Sequence, residues 1–166
     1  MSNVFADGAE LVNKDDLILN TNLLAGIKPQ NNSYDTSSQN ALVWFPNPAR
    51  LSFFPIPVEN GEQILVKLTK ISNTQEAYWG YFFTTVNKDD IPNTMVSSAL
   101  NWIYGTSTKL VVPQNAKYFG VCLGSNKPFT ERTMSQFAQL EVIKQTNVVD
   151  YIKTNFDALK SKIEGE

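Results

Sequence analysis

The chain has no histidine and a single cysteine, Cys122. Serine and cysteine nucleophiles ordinarily work with a histidine base, so that route to catalysis is closed. The Cys/His sets that hold zinc cannot be assembled either. One cysteine closes no intramolecular disulfide, and Cys122 reads as a small buried hydrophobe. Charge is sparse as well, at 18% of residues with a net of -2, and Lys and Arg nowhere cluster. A surface without a basic patch lacks the electrostatic footprint of a nucleic-acid binder. The longest apolar runs, such as "ALVWF" and "QILV", fall far short of the roughly 18 to 20 residues that span a bilayer, so no membrane insertion is expected. The opening "MSNVFADGAELVNKDD" has neither a basic n-region nor an apolar h-region, and no secretory signal is read there.

Carboxylates alone could run a glycosidase. Nothing in the order of Glu59, Glu62, Asp89, Asp90, Glu131 and Glu141 pairs two of them, and few fall in apolar strands where a carboxyl's pKa would rise. "VNKDD" occurs twice, and Asn87, Asp89 and Asp90 are oxygen donors of the kind calcium takes. The stretch lacks the glycine and third carboxylate of a calcium loop and reads as a polar turn. The expectation is no enzyme, no metal and no cofactor.

What the chain does have is aromatic residues, at 11%, and many amide and hydroxyl side chains. That balance suits a β-rich module with a neutral surface. "DLILNTNLL" reads as a short strand, and "KPQNNSYDTSSQNA" as a loop without periodicity. Pro46, Pro48, Pro55 and Pro57 interrupt the next apolar stretches and place them at sheet edges or turns. In "QILVKLTKI", Ile64, Val66 and Leu68 share one face of a two-residue period, after a glycine turn in "ENGEQ". "EAYWGYFFTTV" is apolar on both faces, which fits a central strand covered on both sides or one with a functional face. "STKLVVPQNAKYFGVCLGSN" is strand, proline turn, strand, a pair joined over a sandwich edge. Roughly eight short strands, with no helical period before Val148, predict an all-β fold, a jelly-roll-type β-sandwich.

The end of the chain changes character. Val149, Ile152, Phe156, Leu159 and Ile163 recur at alternating spacings of three and four, the a/d seam of a coiled-coil-like α-helix. Asn147 is a suitable N-cap, and lysines gather in the second half. So short a helix is marginal alone and needs a partner, either its own sandwich or copies of itself. The division expected is an N-terminal arm over residues 1–15, a β-sandwich over 16–145 and an amphipathic helix over 146–166 as an oligomerisation segment.

Sugar-binding sandwiches stack flat rings on the C–H face of a pyranose and place amides and carboxylates at its hydroxyls. Trp44, Trp79, Trp102 and Tyr104 are the candidate rings. "NWIYG" puts Trp102 and Tyr104 on one side of a two-residue period beside Asn101. The competing role for each tryptophan is to fill the core.

The succession "NLL", "VENGEQILVKLT", an aromatic strand ending "NKDDI", "LVVPQNAKYFGVCL" and a last strand ending "QLEV" resembles the carbohydrate-binding-module-like jelly rolls of bacteriophage tail fibres and baseplate receptor-binding proteins. The resemblance spans Asn22 to Val142. It departs at Ile64, where an aromatic is common, and at Gly120, where arginine is usual. It implies a virion protein made in the host cytoplasm, a homotrimer joined by its heptad helix, that binds host cell-surface saccharide and contacts other phage tail or baseplate proteins. The alternatives are a spacer or adaptor domain of the tail or baseplate, and a stand-alone carbohydrate-binding module of a bacterial glycoside hydrolase.

Overall fold

The computed structural model describes residues 3–6, 9–13, 18–36, 38–70, 77–88, 91–98, 107–129 and 138–164. Among them the strands are β1 (Asn3–Ala6), β2 (Ala9–Asn13), β3 (Ile18–Asn22), β4 (Asn32–Thr36), β5 (Leu42–Pro46) and β6 (Arg50–Pro57). They continue as β7 (Gln63–Lys70), β8 (Tyr78–Thr84), β9 (Met95–Ser98), β10 (Ser107–Val111), β11 (Tyr118–Gly124) and β12 (Ala138–Asn147), followed by one helix, α1 (Val148–Glu164). The chain forms two compact units, Asn22–Ile143 and Met1–Thr21 with Lys144–Glu166.

The larger unit is a β-sandwich, and the fold class is all-β with one short C-terminal helix. One sheet runs in the order β6-β11-β8-β9, and the other holds β10, β7 and β12 in that order. Alternation decides which side chains meet between them. Ile64, Val66 and Leu68 of β7, with Leu110, Leu140 and Val142, face Phe53, Ile56, Trp79, Phe83, Phe119, Val121 and Leu123 in one buried cluster. The outer face of β7 is polar, and there Lys67 pairs with Glu141 of β12 at 3.5 Å. The proline-rich β6 is an edge strand. Opposite Gly120 it carries a bulge, with Phe119 facing Ile56 and Val121 facing Phe53. The extra residue lets Phe53 and Ile56, three apart, both point into the core.

β10 and β11 lie in different sheets, so the proline turn between them crosses the sandwich edge, as the sequence predicts. The chain makes a second crossing between β6 and β7, beside the first. Val58 donates to the carbonyl of Lys117, Gly61 to that of Val112, and Val112 to that of Glu62, at 2.9–3.0 Å. Two residues in the left-handed region make the corners, Gly61 at φ 80° and Asn115 at φ 72°. Buried Val58, Val112 and Ala116 close this end of the core.

β8 is covered on both sides. Trp79 and Phe83 belong to the core between the sheets, while Phe82, on the alternate face, belongs to a second cluster with Tyr34, Leu42 and Cys122. That second cluster is roofed by the hairpin β4-β5, whose strands pair from Asn32↔Pro46 to Thr36↔Leu42. The stretch that holds β4 reads from sequence as an unstructured loop. It is polar, but Ser33 and Tyr34 within it are buried, and the Tyr34 hydroxyl donates to the carbonyl of Tyr81 at 2.9 Å. Glycines in β11 make the space beneath. A Cβ on Gly120 would run into the Phe82 ring, and one on Gly124 would lie 2.7 Å from Tyr78 Cζ. Phe82 therefore occupies the volume an arginine at position 120 would need. The Arg50 guanidinium stacks on the Tyr78 ring at 4.6 Å and donates to the carbonyls of Ala49 and Ser125 at 2.9 Å.

In the smaller unit, β1 and β2 form an antiparallel hairpin where the sequence reading has a loose arm, with Ala6 opposite Ala9. The seam side chains Ile152, Phe156, Leu159 and Ile163 of α1 are 59–75% exposed.

Candidate functional site

The roof over the second cluster carries a set of rings in mutual contact. Trp44 stands opposite Tyr34 across the hairpin. It meets the Tyr34 and Phe82 rings edge-on, at centroid distances of 6.1 and 5.7 Å, and leans on Phe54 at 5.8 Å. These contacts grip part of the indole, and the rest reaches the surface. A ring clamped in this way stacks on a ligand without losing much rotamer freedom.

Amides surround the exposed part of the indole. Gln30 exchanges backbone hydrogen bonds with Ser52 of β6, at 2.9 and 3.0 Å. Asn32 Nδ2 donates to Gln30 Oε1 at 3.0 Å, Ser52 Oγ donates to Asn32 Oδ1, and the Cys122 thiol donates to the Asn32 carbonyl at 3.7 Å. Asn31 Nδ2 reaches the Arg50 carbonyl at 3.5 Å. The amide row is thus tied to the sheet below it, and side chains held this way present fixed donors and acceptors.

Two open depressions flank this row. One, of about 260 Å³, is lined by Gln30, Trp44, Ser52, Phe54, Pro55, Asn87 and Lys88. The other, of about 370 Å³, is lined by Gln30, Asn31, Asn32, Trp44, Phe45 and Pro46. Among the described residues Lys88 is the one charged side chain in either lining. Such a surface suits a polyhydroxylated ligand. The buried groups beneath are held neutral. Burial pushes the Cys122 thiol up from 9.0 to about 12, against the opposing pull of Arg50, and it raises the Tyr34 phenol well above its ordinary value. Among the described residues no group of three His, Cys, Asp or Glu could hold a metal ion.

No protein-family model and no curated protein matches the chain. Solved structures with a similar course of chain include a family 29 carbohydrate-binding module from Piromyces equi, at 12% identity and a TM-score of 0.37, covering 78% of this chain and 91% of that one. A second is the accessory secretory protein 1, 2 and 3 structure of Streptococcus pneumoniae, at 9% identity and a TM-score of 0.36, covering 74% and 91%. A third is the C-terminal family 6 module of the laminarinase LamC from Zobellia galactanivorans, at 12% identity and a TM-score of 0.34, covering 78% and 98%. These alignments are too loose to carry a ligand or an activity over to this chain.

Of the rings named from sequence that lie among the described residues, Trp44 stands at the two depressions and Trp79 does not. Trp79 is fully buried in the main core, where its ring lies against Tyr81 at 5.8 Å. It has no face to offer a sugar and serves packing, a correction to the reading that made it a binding candidate. Asn101, Trp102 and Tyr104 lie outside the described residues. The amides Gln30, Asn31 and Asn32 are absent from the sequence reading, although "QNN" ahead of an aromatic strand was a signal for them. Asn87 appears in it as an oxygen donor weighed for calcium, and Lys88 as part of the same polar turn.

Proposed function

We propose that the sandwich is a non-catalytic saccharide-binding module in which Trp44 stacks on a pyranose while Gln30, Asn31, Asn32 and Asn87 bond its hydroxyls. The observation that carries this reading is a clamped, part-exposed indole set in a row of anchored amides. Trp102, Tyr104 and Asn101 are proposed to extend the same kind of surface. The chain works as a receptor-binding domain of a phage tail fibre or baseplate, carried on the virion, with host cell-surface saccharide as its ligand.

A second observation favours the fibre setting over a lone carbohydrate-binding module. The seam of α1 leaves Ile152, Phe156, Leu159 and Ile163 exposed, and large apolar side chains in a stripe mark a surface that pairs. We propose that copies of the chain join through Val149 and these four residues into a homotrimer, so that weak sites act together through avidity.

The test is an array of O-antigen polysaccharides, teichoic acids, and cello-, manno-, xylo- and galacturono-oligosaccharides, probed with the wild-type protein and Trp44→Ala. Specific capture that falls roughly 30-fold or more in the variant is expected, since truncating an aromatic anchor costs about 2 kcal/mol. Capture indifferent to the substitution overturns the Trp44 site. A protein that binds none of the array but captures tail or baseplate proteins would be the adaptor instead.

A further inference from the structure

The two depressions meet at Trp44 and Gln30, which line both. Neither is a blind pocket. At about 260 and 370 Å³ they stand at or below the lower end of the roughly 300–1,000 Å³ of sites that enclose a small ligand, and both are open. A site for a chain terminus gathers its polar groups around one closed end. Here they divide between the two depressions, with Asn87 and Lys88 in one, Asn31 and Asn32 in the other, and Gln30 in both. Beyond them Phe45, 41% exposed, gives the second depression an apolar rim.

We infer that the site takes an internal stretch of a linear polysaccharide, lying across Trp44 from one depression to the other. This rests on the saccharide reading of Trp44 and adds the form of the ligand. One sugar unit stacks on the indole at the junction, and its neighbours on either side fill the two depressions. The chain's ends are free to continue in both directions, so recognition does not require a terminus. The two sides contribute separately, because they share only Trp44 and Gln30.

The test presents each saccharide of the array both as its smallest repeat and as a chain of several repeats, with affinities read by isothermal titration calorimetry. The long form is expected to bind about ten-fold more tightly than the single repeat, equivalent to about 1.4 kcal/mol. Asn87→Ala with Lys88→Ala, and separately Asn31→Ala, are each expected to remove about half of that gain in free energy, roughly three-fold for the long form, and so to weaken the long form more than the single repeat. Equal affinity for long and short forms, with binding still lost in Trp44→Ala, overturns the inference and leaves the saccharide reading standing. Absence of binding to every long form overturns both.

Discussion

Replacing Gly120 by alanine tests whether the second core is built as described. Gly120 lies opposite Phe82 in the β11–β8 ladder. A Cβ there would touch Phe82 Cζ and sit 2.5 and 2.6 Å from Cε2 and Cε1, distances at which something must move. Phe82 has nowhere to go, being fully buried with ring centroids of Tyr34, Phe54 and Trp44 at 4.4, 5.3 and 5.7 Å. Two effects of opposite sign compete. Alanine in a strand gains about 0.5–1 kcal/mol over glycine by restricting the unfolded chain, whereas overpacking a filled core costs about 1–3 kcal/mol. The clash wins, for a net loss of about 1 kcal/mol and a fall in Tm of roughly 2 to 4 °C. Urea denaturation read by tryptophan fluorescence measures it. In a Phe82→Ala background the same substitution becomes neutral or stabilising, a coupling of at least about 1 kcal/mol between the two positions. A Gly120→Ala protein as stable as wild type refutes the packing argument, and with it the account of why arginine is absent here.

Other outcomes follow from the same structure. For the homotrimer proposed above, Phe156→Asp with Leu159→Asp is expected to give a monomer by light scattering; a wild-type protein that is already monomeric refutes the seam. Tyr34→Phe costs about 1 kcal/mol in urea, the worth of the hydrogen bond to the Tyr81 carbonyl, and a neutral result shows that bond to be idle. Because burial raises the Cys122 thiol from 9.0 to about 12, the unfolded chain gives up this proton first and the folded state holds it longer. Stability therefore falls as pH rises from about 9 towards 12, by up to about 1.4 kcal/mol per pH unit for this group. Cys122→Ala flattens that part of the profile, and an unchanged slope in the variant disproves the assignment.

The strands of the main core could be read ahead of the structure because their two-residue period is strong. Ile64, Val66 and Leu68 face inward as expected, and the proline turn of "VVPQNA" crosses between sheets. β8 shows the limit of such reading. Its double-faced apolar pattern left open a second cover or a functional face, and what covers it is a hairpin one strand of which, β4, is polar and reads as a loop. Trp44 and Trp79 illustrate the same limit for the site. Both are tryptophans in aromatic strands, and only the position of each strand in the stack decides that one is buried and the other reaches the surface. The amides were missed because Gln30, Asn31 and Asn32 gain their arrangement from hydrogen bonds to β6, a strand some twenty residues away in the chain.

The separate second core bears on how this face can vary over evolutionary time. The sandwich proper is sealed by residues between its sheets, and the hairpin that bears Trp44 is seated outside that seal on a handful of rings. Exchanges at its rim, at Asn31, Phe45 or Asn87, fall on side chains that contribute nothing to the main core. Selection can therefore rewrite which polymer the surface prefers while the scaffold stays as it is, a freedom useful to any binder whose target keeps changing.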